Sequence, residues 1–142
     1  MSNNFTGFSV ETPDGLSIRF RYYNEEAPQT VAAFHRALPF SKSMMHARIS
    51  GMEIWTDEAP SLFIPQENAS VFCLPGEVVI GPALPARCKT SQCMGIYYGE
   101  GKGLDACNIF AIVLEEDRTL LAALGERIWK KGMMEVKFNR LP

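Results

Sequence analysis

A chain of 142 residues, 46% apolar and 21% charged, suits one globular domain with a core of its own. Acids and bases are interspersed around a net charge of −2, and the longest basic cluster is Lys130-Lys131, so neither nucleic acid nor a membrane surface is an expected partner. No apolar run approaches the ~20 residues that span a bilayer, and Met1 to Phe5 carries no export signal, so a cytoplasmic protein with reduced Cys73, Cys88, Cys93 and Cys107 is expected.

Phe8 and Val10 alternate, Pro13-Asp14-Gly15 signals a turn, and Leu16, Ile18, Phe20 and Tyr22 alternate again. This predicts a hairpin from Phe8 to Tyr23. Pro28 suits a first helical turn, Val31, Phe34 and Leu38 recur at helical spacing, and Pro39 stops the run, so a short amphipathic helix is predicted from Pro28 to Leu38. His35, off that stripe, reads as a solvated surface residue. Met44 to Trp55 holds two extended pieces around Gly51, the first with His46 and Arg48, the second with Glu53 and Trp55. Past a loop with Pro60 and Pro65, strands are predicted at Ser70–Leu74, Glu77–Ile80 and Met94–Tyr98. Gly99, Gly101 and Gly103 read as a flexible connection to an apolar strand from Asn108 to Leu114. A second helix, capped by Asp117 or Thr119, is predicted from Asp117 to Lys130, and Met134, Val136 and Phe138 alternate in a last strand.

Many short strands with one early and one late helix imply a mainly β fold: a small closed barrel capped by two helices, one domain over residues 1–142. Its core is expected at Phe20, Val31, Phe34, Val79, Ile96, Phe110, Ile112, Leu121, Leu124 and Phe138.

Several segments resemble the cyclophilins. Ala27-Pro-Gln-Thr-Val-Ala-Ala-Phe34 is similar to their first helix, Ser91-Gln92 before an apolar strand to their serine-glutamine strand, and Leu104 to Val113 to their leucine-aspartate stretch. Ala27 to Val31, Arg48 to Trp55, Glu67 to Ala69 and Pro75 to Val78 resemble more closely the short bacterial cyclophilin-like proteins, relatives of Pictet–Spengler cyclases of this fold. The resemblance implies a groove enzyme without a cofactor that condenses an arylethylamine or amino acid with an aldehyde or keto acid. It also implies that prolyl isomerisation is lost. Gln92 is kept and Arg48 (or His46) stands for the family arginine, but Met94, Gly103 and Asn108 replace the groups that grip a proline ring.

Side-chain chemistry narrows the candidates. Arg48, Glu53 and Trp55 suit one groove face: a fork for a substrate carboxylate, an acid–base group and a stacking wall. An ion pair beside a core tryptophan is the alternative. Glu67 is the second candidate base, its alternative being a strand-start carboxylate that accepts backbone amides. Tyr97 and Tyr98 point to opposite faces of one strand, so at most one lines the pocket. Gln92, Tyr97, Tyr98 and Asn108 complete the expected substrate-binding set. Cys88-x4-Cys93 has no second ligand pair and the glycines from 99 to 103 lack a dinucleotide spacing, so no metal or cofactor is expected. The second reading is a non-catalytic binder of a small metabolite or peptide. Self-association is compatible with either.

Overall fold

In the computed structural model, which describes residues 5–84 and 90–141, the hairpin forms from β1 (Gly7–Glu11) and β2 (Ser17–Tyr22), and every second side chain of β2 is buried. Helix α1 (Pro28–Ala37) follows, then β3 (Phe40–His46), β4 (Gly51–Thr56), β5 (Ala69–Phe72) and β6 (Glu77–Ile80). A long strand β7 (Met94–Val113), helix α2 (Arg118–Lys131) and β8 (Met134–Arg140) complete the described chain.

The strands close on themselves. β2 pairs with β1, β1 with β8, β8 with β3, β3 with β4, and β4 with the first part of β7. β6 lies between the two ends of β7, pairing Val79 with both Gly95 and Ile109. The last residues of β7 pair back onto β2, Phe20 opposite Val113, and seal the ring, while β5 adds to β7 outside it. This is the expected mainly β fold, a closed ring of strands with two helices. Among the described residues, no helix is long and apolar enough to cross a membrane.

Aromatic rings fill the interior. Phe8 stacks on Phe20 at 4.9 Å and meets Phe34 at the same separation, with Phe110 and Phe138 just beyond. Phe34 comes from α1, so the apolar stripe of that helix plugs the barrel. Leu121, Leu124 and Ile128 of α2 belong to the same cluster. The predicted core is buried except at Ile112, which is half-buried. Val79 joins a smaller cluster with Tyr97, Cys107 and Ile109 instead.

Four local expectations are corrected. The glycines from 99 to 103 are no loop: β7 runs through them unbroken, because close packing rather than turning demands them. A Cβ on Gly101 would stand 2.5 Å from the Ser50 carbonyl oxygen and 2.6 Å from the Tyr97 ring. Arg48 lies in the turn between β3 and β4, not on a strand. Asp117 precedes α2 but does not cap it with its side chain; it accepts the Arg19 amide and Nε–H, each at 2.8 Å. His35 is half-buried, its Nδ1 2.9 Å from the Tyr22 hydroxyl and its ring stacked on Phe5. Cys88 lies outside the described residues, and Cys73, Cys93 and Cys107 form no disulfide with one another.

Candidate functional site

Strand alternation sorts β4 and β7 into two faces. Ile54 and Ile96 pair across the ladder and point into the barrel. The pairs Glu53–Tyr97 and Trp55–Gly95 point the other way, onto the outer face. There they open a groove of about 950 Å³. Its buried floor includes Glu53, Val79, Met94, Tyr97 and Cys107; Arg48, Ile49, Asp57 and Leu104 stand exposed at its rim. Trp55 forms a half-buried wall. Four of the candidates, Arg48, Glu53, Trp55 and Tyr97, are therefore brought to one groove.

Glu53 is the unusual group. It is 9% exposed, and its Oε1 accepts the Ser50 hydroxyl at 2.5 Å. The Tyr97 hydroxyl lies within hydrogen-bonding reach of both this carboxyl and the Cys73 thiol. Burial pushes the Glu53 carboxyl above its ordinary range, and the hydrogen bonds from Ser50 and Tyr97 pull partly back. The same burial, with Glu77 and Glu53 nearby, pushes the Cys73 thiol up to about 12. Gly95 makes room for all this: a Cβ there would stand 1.9 Å from Glu53 Oε2. The ion pairs among the described residues involve neither Glu53 nor Arg48. A buried acid held by neutral donors, an unpaired guanidinium and an indole wall thus share one cavity.

The family model described as a protein of unknown function, DUF3830, matches residues 10–140. The chain belongs to the DUF3830 family. No curated protein matches it. Among solved structures, this DUF3830 chain is similar to McbB in complex with tryptophan, at 17% identity and a TM-score of 0.71. That alignment covers 94% of this chain but 44% of McbB, so the chain spans less than half of that protein. A hypothetical protein from Archaeoglobus fulgidus matches at 15% identity and a TM-score of 0.63, covering 97% of this chain and 96% of that one. A cyclophilin-type peptidyl-prolyl isomerase of Cryptosporidium parvum, solved in the presence of the dipeptide Ala-Pro, matches at 14% identity and 0.64, covering 96% and 99%. At such identities these neighbours share the fold with the DUF3830 chain.

Four expected residues lie elsewhere in this DUF3830 structure. Glu67 is half-buried away from the groove, where its carboxylate accepts the Thr30 amide at 2.5 Å in the first turn of α1. Asn108 is fully buried and fully occupied. Its Nδ2 donates to Thr30 Oγ1 at 3.0 Å and to the Pro65 carbonyl at 2.9 Å, and its Oδ1 accepts the Glu67 amide at 3.1 Å. Tyr98 faces α2, its ring over Gly125 and its hydroxyl 2.7 Å from His46 Nε2. Gln92 is exposed in a left-handed conformation beside a separate small depression. Sequence reasoning missed Ser50 and Cys73 as groove residues. For Ser50 a signal existed: Ser50-Gly51-x-Glu53 sets a hydroxyl three residues before an acid across a glycine turn.

Proposed function

We propose that this protein is a small-molecule enzyme of the cyclophilin-like groove, a Pictet–Spengler-type cyclase that works without a cofactor. The observation that carries this reading is Glu53, a buried carboxyl on the groove floor beside Trp55. The aromatic amine or amino acid stacks on Trp55, and a substrate carboxylate pairs with Arg48 at the rim. Amine and carbonyl condense to an iminium ion and release water. The electron-rich ring then attacks the iminium carbon, forming the new carbon–carbon bond, and the ring proton passes to the Glu53 carboxylate. The groove supplies positioning and a negative partner for the cation. McbB, solved with tryptophan bound, supports an aromatic amino acid as the partner for this groove. Glu67, committed to α1, is not part of the proposed machinery.

The test is a screen of arylethylamines and aromatic amino acids against aldehydes and keto acids, read by mass spectrometry for the condensed, cyclised product. Product above the uncatalysed background is expected. Binding of the amine without product would leave the non-catalytic reading in its place.

A further inference from the structure

We infer that the groove selects organic cations, protonated amines or iminium ions, and that seating one expels a proton, because Glu53 is a buried acid whose partners are all neutral. This deepens the proposed reaction but rests on the surroundings of Glu53 alone, so binding and turnover can fail separately.

The argument is a charge account of the cavity. A carboxylate removed from water needs a counter-charge, or it keeps its proton. The groups that reach Glu53 are the Ser50 hydroxyl from its own turn and the Tyr97 hydroxyl from β7. The Cys73 thiol, following β5, also faces it, and both Tyr97 and Cys73 are held in their neutral forms by burial. Behind Cys73 stands Glu77 on β6, which takes its hydrogen bonds from Tyr23 and the Leu74 amide and adds no positive charge. Among the described residues, the basic groups that line the groove are Arg48 and His46. Arg48 is in the exposed turn, and His46 Nε2 is engaged by Tyr98. Asp57, another acid lining the groove, favours the same sign of ligand.

Without a ligand, burial therefore favours the protonated form of this carboxyl. An arriving ammonium or iminium supplies the missing charge, Glu53 ionises, and its proton leaves to solvent. Trp55 adds an aromatic face to which such a cation is attracted. The ionised carboxylate is then the form that the proposed ring deprotonation requires, so the ligand would arm its own base.

Three indoles of matched shape test this by calorimetry: tryptamine as the cation, tryptophol as its neutral counterpart and indole-3-propionate as the anion. Tryptamine is expected to bind at least about tenfold more tightly than tryptophol, with the anion weakest. In two buffers of different ionisation enthalpy, tryptamine binding should release a proton at mildly acidic pH, and the release should fade as pH rises above the Glu53 midpoint. Glu53→Gln, with its thermal midpoint checked for folding, should abolish both the preference and the proton. Equal binding of tryptamine and tryptophol, or a preference that survives Glu53→Gln, overturns the inference. So does failure of tryptamine to bind, or an ordinary glutamate midpoint for Glu53 in a carbon-13 titration of the empty protein. If the cation binds with proton release but no carbonyl partner ever yields product, the inference stands and the cyclase reading falls.

Discussion

Two polar clusters flank the long strand β7, each built around one glutamate, and they are opposites. In the first, Glu67, Asn108 and Thr30 bond to one another and to main-chain amides and carbonyls of α1 and the Pro65 loop. Asn108 uses both amide hydrogens and its oxygen, so nothing is left to offer a ligand. In the second, Glu53 meets side-chain hydroxyls, lines a groove and has no counter-charge among the described residues. A polar residue spent on backbone groups holds a fold together. One held by hydroxyls beside a cavity keeps its charge chemistry for whatever enters.

Exchanging the two acids for glutamine should divide the clusters most sharply. Glu53→Gln should lower turnover by ~10²- to 10⁴-fold while the denaturation midpoint stays level or rises, because a buried carboxyl without a cation is a cost. Glu67→Gln should leave turnover intact and lose about 0.5–1 kcal/mol of stability, the worth of a negative charge at a helix N-terminus. The reverse pattern would exchange the roles assigned to the two clusters. Gly95→Ala comes next. Its methyl group would displace the Glu53 carboxyl, so a fall of about 10²-fold in turnover is expected with ligand affinity for the Trp55 wall retained. Unchanged turnover would show that the carboxyl need not sit where it does. The smallest effect on function belongs to Asn108→Ala. It should cost about 2–3 kcal/mol in urea unfolding by stranding buried partners, yet leave the rate per folded molecule unchanged.

Alternation and helical spacing made the architecture readable: Ile18, Phe20 and Tyr22 marked β2, and Val31 and Phe34 marked the inward face of α1. The unreadable parts share a cause. Gly99 to Gly103 looked like a hinge because glycine is associated with turns, whereas here its use is to let Ser50 and the Tyr97 ring approach the backbone. Glu53 and Glu67 looked alike because each has bulky or stiffening neighbours in sequence. What separates them is a helix amide 37 residues away for one and a hydroxyl three residues away for the other. The local partner could have been read, and the distant one could not. Tyr97 and Tyr98 were separable in principle by period two, but which ring faced the groove depended on the pairing with β4.

The unbroken run of β7 also bears on how this gene can vary in length. Straight, twenty residues would extend about 65 Å; here the strand bends, and one end carries the groove floor while the other closes the barrel. Deleting a single codon between Tyr97 and Cys107 would leave Tyr97 opposite Glu53 but invert every side chain beyond it, turning Phe110 out of the interior. Point changes in this stretch act at their own position and leave the register of the strand intact. Length changes survive only in pairs of residues or where a bulge absorbs the odd one, so natural variants of this protein should keep the spacing from Tyr97 to Phe110 more faithfully than the residues within it.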